Sequence, residues 1–342
     1  MKKGAKHRAR SSRAVRVVAL GGGTGLSTVL RGLKQHIAES SRAPGRSPIS
    51  DLTAVVAVSD DGGSSGRLRR EYRVLPPGDI RNCMVALSTD EPLLANLFQY
   101  RFPTGRGLEG HSFGNLFLTA LTNVIGDFSH AVQVSSQVLA IRGRIFPSTD
   151  QNVTLEAELE DGKIVAGETR ISRSRKPIKH VMLRPRRVRP SRQALEALRR
   201  ADLILVGPGS LYTSIIPNLL LQDVVEVIAN SSATRIYIAN LMTQPGETSH
   251  YTVADHVRAI YDHAKRRLFD YAIINRAPIS RGVLRRYRAE GAEPVNPSLA
   301  ELGRMGIRCI EADLLQQDKV VRHDQTALAR LLLDRFVRTR SE

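Results

Sequence analysis

"VVALGGGTGLSTVLRGLK", residues 17–34, joins a short apolar run to a glycine-rich turn and then to a helical pattern. Residues 15–20 are almost continuously apolar, which is typical of a strand buried on both faces of a parallel sheet. After the glycines, four apolar residues recur at helical spacing on one face: Leu26, Val29, Leu30 and Leu33. A strand, a glycine turn and a helix in this order predict the first half of a βαβ unit.

A second predicted strand completes this unit. Residues 52–58 are again almost wholly apolar, and they run into the polar, glycine-rich segment "SDDGGSSG", residues 59–66. The same alternation of strand and helix resumes in the second half of the chain, with strands predicted at residues 203–206, 236–239 and 271–275. The sequence therefore predicts an α/β fold: a Rossmann-like, doubly wound, mostly parallel sheet with helices on both faces.

The middle of the chain departs from this pattern. "VTLEAELE", residues 153–160, alternates between apolar and polar residues, Asp161 and Gly162 predict a hairpin turn, and "KIVAGETRI", residues 163–171, alternates again. We therefore predict a small antiparallel β insert, a hairpin at about residues 151–184, within a single α/β domain that covers residues 15–340.

Composition limits the classes of protein to which the chain can belong. Hydrophobic residues make up 42% of 342, enough to bury a sizeable core. Cys83 and Cys309 are too few for a disulfide framework, and they predict free thiols in a reducing cytoplasm. No stretch approaches 18 consecutive apolar residues, so the sequence predicts no membrane span.

The formal net charge of +18 raises the question of a nucleic-acid ligand. Much of the charge lies in residues 1–14, predicted to be a disordered basic tail, and in a second basic run from Arg170 to Arg192. No aromatic RNA-binding motif or zinc knuckle interleaves with these charges. The sequence therefore predicts attraction to anionic ligands and no specific nucleic-acid partner.

The opening glycine turn is the first candidate binding site. Five small residues follow the first strand: Gly21, Gly22, Gly23, Thr24 and Gly25. Backbone N–H groups and the positive end of the following helix favour an anion there. Leu26 stands where the dinucleotide fingerprint G-x-G-x-x-G needs glycine, and no Lys-Ser/Thr pair follows as in a Walker loop. The pattern predicts phosphate contact without naming the ligand.

Asp60 and Asp61 follow the second strand, at the edge where open α/β sheets bind ligands. One carboxylate there can bind a ribose hydroxyl, two can hold a hydrated Mg²⁺, and either can cap the next turn. Three arginines come next and face either phosphate or solvent: Arg67, Arg69 and Arg70.

Two motifs precede the β insert. In "PPGDIRN", residues 76–82, Asp79 is predicted to cap a helix that also carries Asn82. "GHSFGN", residues 110–115, brings a histidine, Ser112 and Asn115 together around glycines. A pair formed by His111 and Ser112 is not favoured, because adjacent residues rarely face each other and no third member is identifiable.

A second glycine turn repeats the logic of the first. The apolar residues 203–206 run into Gly207, Pro208, Gly209 and Ser210, followed by a cluster of hydroxyl groups. "NLMTQPGET", residues 240–248, is a third polar loop after a strand. Because the carboxyl ends of parallel strands meet at one edge, we expect the two glycine turns to hold two ends of a nucleotide-like ligand.

Six motifs in this order resemble the YvcK family of gluconeogenesis factors, within the superfamily of the CofD phospholactate transferases: "GGGTGLSTVLRGLK", "VSDDGGSSGRLR", "PPGDIRN", "GHSFGNL", "GPGSLYTSIIPNLL" and "MTQPGET". The resemblance covers residues 15–338. It implies a Rossmann-like fold that binds a UDP-sugar, UDP-N-acetylglucosamine or UDP-glucose, and requires no cofactor. It also implies a cytoplasmic regulator of cell shape and cell-wall synthesis during growth on gluconeogenic carbon sources.

The resemblance also implies a set of binding residues. It assigns residues 21–25, Asp60 and residues 207–210 to a nucleotide cleft, and it identifies Tyr287 and Arg322 as UDP-sugar contacts. Tyr287 would stack on a base or bond to a sugar, and the planar fork of Arg322 would hold a diphosphate. The predicted ligand-binding set adds three polar residues from the other motifs: Asp61, Asn82 and Asn115.

The superfamily also implies an alternative activity. A CofD-like 2-phospho-L-lactate transferase moves a phospholactyl group from a GDP-activated donor to a deazaflavin alcohol, with Mg²⁺ at Asp60 and Asp61 to neutralise diphosphate charge. The GGGTG and MTQPGET motifs have the form typical of the branch that is not transferase, so we expect a regulator without catalytic residues. Expected partners are a nucleotide sugar and regulators of cell-wall synthesis, and a homodimer is compatible with the sequence.

Overall fold

The structure is a computed structural model that describes residues 14–37, 47–89, 92–318 and 320–337. Its strands are, in chain order, β1 (Val15–Gly21), β2 (Ile49–Val56), β3 (Arg144–Pro147), β4 (Thr154–Leu159), β5 (Ile164–Ala166), β6 (Ile178–Arg184), β7 (Leu203–Val206), β8 (Thr234–Ile238), β9 (Tyr271–Asn275), β10 (Arg308–Ala312), β11 (Leu315–Gln317) and β12 (Val321–His323).

The helices of the described residues are numbered in the same way. They are α1 (Gly23–Leu33), α2 (Gly63–Tyr72), α3 (Gly78–Leu87), α4 (Pro92–Gln99), α5 (Phe113–Ile125), α6 (Phe128–Val138), α7 (Glu168–Ser174), α8 (Arg192–Arg200), α9 (Ile216–Leu219), α10 (Gln222–Ala229), α11 (Val253–Ala264), α12 (Arg281–Ala289), α13 (Leu299–Arg304) and α14 (Gln325–Phe336). A short 3₁₀ turn, Lys34–His36, extends α1, and a π-helical turn, Leu211–Ile215, leads into α9.

Seven strands form one parallel sheet in the order β10-β9-β8-β7-β1-β2-β3. From β1 the chain builds outward to β2 and β3 on one side, and then returns to build β7 to β10 on the other. The order therefore reverses between β1 and β7, which is where doubly wound sheets open a crevice for ligands. The predicted fold class is confirmed.

The core forms because the apolar faces named by the sequence are buried. Val17 to Leu20 of β1 are at most 2% exposed, since β1 is paired on both edges and covered on both faces. The apolar stripe of α1 is equally buried and packs the helix onto the sheet: Leu26, Val29, Leu30 and Leu33. This packing fixes the start of α1 at the carboxyl end of β1.

The insert is larger than a hairpin. β4 pairs antiparallel with β5 on one side and with β6 on the other, and α7 lies between β5 and β6. The alternation through residue 171 suggests a longer strand, but β5 ends at Ala166 and α7 begins at Glu168. Gly167, with φ of +97°, reverses the chain between them, so the alternation of residues 168–171 lies on a helix.

The insert is fixed to the main domain through α11. The ring of His180 on β6 stacks on His263 at a centroid distance of 4.1 Å and an interplanar angle of 6°. His263 Nε2 accepts a hydrogen bond from the N–H of Val181 at 3.0 Å, while its Nδ1 donates to the carbonyl of Ala259 at 2.7 Å. His263 is thus held as a neutral imidazole between the two parts.

Three further sequence predictions meet the described residues only in part or differ from them. The second strand is displaced toward the N-terminus: it spans Ile49–Val56 rather than residues 52–58. The predicted basic tail, residues 1–14, lies outside the described residues except for Ala14. Within the described ranges, no single helix has the length and apolarity to cross a membrane, although one bent pair, Leu211–Leu219 with Gln222–Ala229, meets the length and composition criterion.

Candidate functional site

The two glycine turns lie side by side at the reversal point of the sheet. Gly22 is the N-cap of α1, and Gly23 begins the helix with φ of +64°. A Cβ on Gly25 would lie 2.3 Å from the carbonyl oxygen of Pro208, so the first turn of α1 touches the second glycine turn directly. Only glycine permits this approach, which explains the small residue at position 25.

Polar side chains from the third loop hold the second glycine turn in shape. Asn240 accepts from the N–H of Gly209 at 3.1 Å and donates to its carbonyl at 2.8 Å. The hydroxyl of Ser210 lies 2.8 Å from Gln244 Oε1 and 3.3 Å from a carboxylate oxygen of the buried Glu247. The three strand-end loops therefore converge at one edge of the sheet.

A cleft of about 280 Å³ opens between these loops and the C-terminal strands. We call it the nucleotide cleft, and its lining is Thr24, Gly25, Thr28, Pro208, Gly209, Ser210, Asn240, Leu241, Met242, Thr243, Gln244, Tyr287, Val321, Arg322 and His323. Seven of the predicted residues are among them: Thr24, Gly25, Pro208, Gly209, Ser210, Tyr287 and Arg322.

Tyr287 and Arg322 are joined through the backbone. The hydroxyl oxygen of Tyr287 on α12 accepts a hydrogen bond at 3.0 Å from the N–H of Val321, the residue before Arg322 on β12. Tyr287 thus positions the strand that carries the arginine. His323 follows on the same strand, and burial lowers its pKa to about 4, so it is a neutral group in the cleft wall.

A second cavity, of about 290 Å³, adjoins the cleft. We call it the arginine cavity, because four of its nine lining residues are arginines; the lining is Thr24, Ser27, Thr28, Arg31, Arg81, Asn82, Gln99, Arg101 and Arg322. Thr24, Thr28 and Arg322 line both this cavity and the nucleotide cleft. Of the predicted residues, it takes Asn82 together with the shared Thr24 and Arg322.

A third cavity, of about 270 Å³, contains two carboxylates. This carboxylate cavity is lined by Asp60, Gly62, Gly63, Ser64, Ser65, Gly78, Asp79, Arg81, Asn82, Arg101 and Asn115. Burial and then the charge of Asp60 raise the pKa of Asp79 to about 6, and burial raises the pKa of Asp60. Ionisation of one carboxyl group therefore disfavours ionisation of the other in this cavity.

Asp79 does not cap its own helix, as the sequence suggests. α3 has no side-chain cap, and the Asp79 carboxylate instead accepts the N–H of Gly23 at 2.8 Å. A Cβ on Gly22 would lie 2.7 Å from the same carboxylate oxygen. Asp79 thus supplies the first turn of α1 with the partner that its own N-cap, a glycine, does not.

Asp60 and Asp61 have different surroundings. Asp60 accepts the N–H of Gly62 at 2.8 Å and lines the carboxylate cavity. Asp61 accepts the N–H of Thr169 at 2.8 Å, in the first turn of α7, and it does not line that cavity. Asp61 therefore fixes the insert, and the adjacent pair does not face a single point.

His111 has a serine partner, but it is not Ser112. His111 Nδ1 lies 2.9 Å from the hydroxyl of Ser64, which also accepts from Asn115 Nδ2 at 3.1 Å. Ser112 is the N-cap of α5 and accepts a hydrogen bond from Arg81 at 2.6 Å. Burial and the charge of Arg67 lower the pKa of His111, which favours the neutral imidazole.

The remaining predicted residues support the site without lining these cavities. The carbonyl of Gly21 accepts from the buried Asn218 at 3.1 Å, and Gly207, with φ of +81°, reverses the chain after β7. Gly22, Gly23 and Asp61 have the roles given above. Sequence reasoning did not single out Asn218 or Glu247. Asn218 is one polar residue in the apolar segment of α9, and Glu247 stands in the third polar loop, where its carboxylate was the only signal.

A family model described as 2-phospho-L-lactate transferase CofD matches residues 17–315. The chain belongs to the CofD family. This CofD family member is 47% identical to a gluconeogenesis factor of Halalkalibacterium halodurans over 326 residues, which is 95% of this chain and 98% of that protein. It is also 47% identical to the gluconeogenesis factor of Bacillus subtilis, over 93% of this chain and 97% of that protein.

A solved structure agrees with these relatives. The crystal structure of a UPF0052 family member from Bacillus halodurans has a TM-score of 0.88 and 45% identity, covering 94% of this chain and 99% of that one. The relatives are gluconeogenesis factors, so the resemblance to the YvcK branch of the CofD-like proteins is confirmed.

Proposed function

We propose that this gluconeogenesis factor relative binds a UDP-sugar in the nucleotide cleft. The observation that carries the proposal is the meeting of two glycine turns with a guanidinium at the reversal point of the sheet. The first turn of α1 offers backbone N–H groups and a positive helix end to a diphosphate, and Arg322 offers a planar fork. The amides of Asn240 and Gln244 offer directional contacts to a uracil or a sugar.

UDP-N-acetylglucosamine is the ligand that we propose first, with UDP-glucose second. The support is the agreement of six motifs with the YvcK family and the names of relatives at 47% identity. We further propose that occupancy of the cleft regulates cell shape and cell-wall synthesis during gluconeogenic growth, in the cytoplasm, without turnover of the ligand.

Calorimetric titration of the purified chain with UDP-N-acetylglucosamine, UDP-glucose, GDP and NAD tests the ligand. We expect saturable binding of at least one UDP-sugar and much weaker binding of GDP and NAD. Preferential binding of GDP would contradict the proposal. The regulatory part is tested in cells whose only copy is Arg322→Ala: normal shape on gluconeogenic carbon, despite lost ligand binding, would show that occupancy is not the signal.

The family model's description favours a second candidate, a phospholactyl transferase that uses a GDP-activated donor and Mg²⁺. Its proposed metal pair does not fit the geometry, because Asp61 is bonded to α7 while Asp60 lines the carboxylate cavity. Among the residues that the structure describes, no group of three or more His, Cys, Asp or Glu side chains is arranged to hold a metal ion. We therefore derive no step through Mg²⁺, and turnover of a GDP-activated donor would be the result in favour of this candidate.

A further inference from the structure

The arginine cavity has a charge that its own lining does not neutralise. Four guanidiniums, from Arg31, Arg81, Arg101 and Arg322, face about 290 Å³, and none of the lining residues is acidic. Within the described ranges, no carboxylate lies within 4 Å of any of the four, whereas Arg235, for example, is paired with Asp270 at 2.6 Å. Arg31, Arg101 and Arg322 are exposed, whereas Arg81 is buried at the base of the cluster.

Arg81 makes the arrangement costly without an anion. It is 9% exposed, and its terminal nitrogens donate to two neutral oxygens, Ser112 Oγ at 2.6 Å and Asn82 Oδ1 at 2.7 Å. Its Nε is buried and has no hydrogen-bond partner among the described residues. A buried charge without an ion-pair partner is destabilising, and Asp79 and Asp60 act on this guanidinium only from beyond salt-bridge distance.

Arg101 adds a like charge to the same space. Burial and then the charge of Arg101 lower the pKa of Arg81, which means that the two guanidiniums repel each other across the cavity. Arg101 is held there by a hydrogen bond from its Nη1 to the carbonyl of Gly110 at 2.5 Å. A repulsive pair that is fixed in place by neutral acceptors is the arrangement that a bound anion would stabilise.

We propose that the arginine cavity is a second anion site, which binds the phosphate group of a small phosphorylated metabolite beside the nucleotide sugar. Arginine forks match the oxygen spacing of phosphate and form charge-assisted hydrogen bonds. The volume of about 290 Å³ accommodates a phosphate monoester of a small sugar. The site is distinct from the nucleotide cleft, whose glycine turns are not part of it beyond Thr24.

Arg322, the shared residue that carries a charge, couples the two sites, and this part rests on the proposed UDP-sugar function. Arg322 lines both cavities, so an anion in one competes for its guanidinium with an anion in the other. Occupancy of the arginine cavity therefore weakens binding of the UDP-sugar by a limited factor, and the effect is reciprocal. A carbon metabolite in this cavity would make the response to a nucleotide sugar depend on carbon supply.

The test uses inorganic phosphate and glycerol 3-phosphate as probes, titrated calorimetrically into the full chain at constant ionic strength, with chloride as the control salt. We expect saturable binding of at least one probe, weakened at least about tenfold by Arg101→Gln and by Arg31→Gln. Arg304→Gln, an exposed arginine on α13, is the matched control and should leave binding unchanged. Tighter binding of the ester than of phosphate would identify a metabolite rather than the free ion as the ligand.

The same proteins separate this inference from the proposed function. UDP-N-acetylglucosamine is titrated at rising phosphate, and we expect its apparent Kd to rise and then reach a plateau, with Arg101→Gln abolishing the rise. A Kd that rises without limit would mean one shared site and would overturn the inference. Probe binding that does not saturate would also overturn it, as would native-strength probe binding by both Arg101→Gln and Arg31→Gln. If the probes bind as expected but the protein binds no UDP-sugar, the anion site is supported and the proposed function is rejected.

Discussion

The carboxylate of Asp79 accepts a hydrogen bond from the N–H of Gly23 at 2.8 Å, across 56 residues of chain. It joins the start of α3 to the loop that the sequence marks for phosphate. A donor that an anionic ligand would use is therefore already hydrogen-bonded to a carboxylate of the protein. Burial favours the protonated form of that carboxyl group and raises its pKa to about 6.

Asp79→Asn should strengthen binding of an anionic ligand in the nucleotide cleft. The amide oxygen of asparagine still accepts the N–H of Gly23, but the negative charge beside the diphosphate is gone. We expect a several-fold lower Kd for UDP-N-acetylglucosamine at pH 7.5 and little change at pH 5, where Asp79 in the native chain is protonated. Titration at both pH values measures this, with the exposed Asp313→Asn as the control; weaker binding by Asp79→Asn would mean that the charge is needed.

The same raised pKa has a consequence for stability. A carboxyl group whose folded pKa lies above its unfolded value of 3.8 favours the folded state most at low pH, and that contribution is lost as the pH rises from about 4 to about 6. At pH 7, therefore, the native carboxylate costs on the order of 1–3 kcal/mol relative to its neutral form. Asp79→Asn should be at least as stable as the native chain at pH 7, as measured by urea unfolding.

Gly25→Ala should destabilise the fold at the junction of the two glycine turns. Its Cβ would lie 2.3 Å from the backbone oxygen of Pro208, an atom that cannot move without shifting the second turn. We expect a loss of about 1–3 kcal/mol in the free energy of unfolding and weaker UDP-sugar binding. Gly282→Ala, on α12 with open space around it, is the matched control and should be neutral or stabilising; equal stability of both variants would contradict the close contact.

The sequence was sufficient for the sheet and for the edge at which the site lies. Continuous apolar runs identify β1, β7 and β9 because strands buried on both faces leave no other pattern, and glycine turns mark the strand ends. It was not sufficient for residues 163–171, where alternation fits a strand but the chain reverses at Gly167 and continues as α7. Over the four residues 168–171, the same order of apolar and polar residues fits either a strand or one helical turn.

Side-chain partners across long sequence separations could not be predicted. Local reasoning assigns Asp79 to a helix cap and groups Asp61 with Asp60, and for His111 it rejects Ser112 without naming another partner. In the structure their partners are Gly23, Thr169 and Ser64 respectively. These contacts depend on how the loops converge at the sheet edge, which is set by packing of the whole domain rather than by spacing.

The attachment of the insert should fail in acid. Burial lowers the pKa of His263 to about 4, below its ordinary value of 6.5, so the neutral ring contributes stability above pH 6.5 that is lost as the pH falls through about 4. Protonation removes the acceptor of the Val181 N–H and places a charge against His180. We expect a decrease on the order of 1–3 kcal/mol over this range.

His263→Phe tests this assignment. Phenylalanine keeps a ring against His180 but cannot titrate or accept from Val181, so the variant should be less stable at pH 7 and its stability should vary less between pH 7 and pH 4.5. Urea unfolding at several pH values measures the slope, and the exposed His250→Phe should retain the native slope. An unchanged slope in His263→Phe would assign the acid sensitivity to other groups.

Variants of Tyr287 and Arg322 test which of the two residues contacts the ligand directly and which positions the other. Arg322→Ala should weaken UDP-N-acetylglucosamine binding about 10- to 100-fold, because charge-assisted bonds to a diphosphate are lost, and Arg322→Lys should restore it only partly, because the fork is lost. Tyr287→Phe removes only the hydroxyl that accepts the Val321 N–H at 3.0 Å. One neutral hydrogen bond is worth about 1 kcal/mol, so a loss of about fivefold is expected if the hydroxyl acts by positioning β12.

A double variant decides how the two residues act. If Tyr287 works by positioning Arg322, Tyr287→Phe should have almost no further effect in the Arg322→Ala background, because there is no guanidinium left to position. Additive losses would instead assign the tyrosine hydroxyl a direct contact with the ligand. Arg288→Ala, the exposed neighbour of Tyr287 on α12, is the control and should bind as the native chain does. Calorimetric titration of these four variants and the native chain at fixed ionic strength measures all of these differences. Native affinity in Arg322→Ala would remove the arginine from the site.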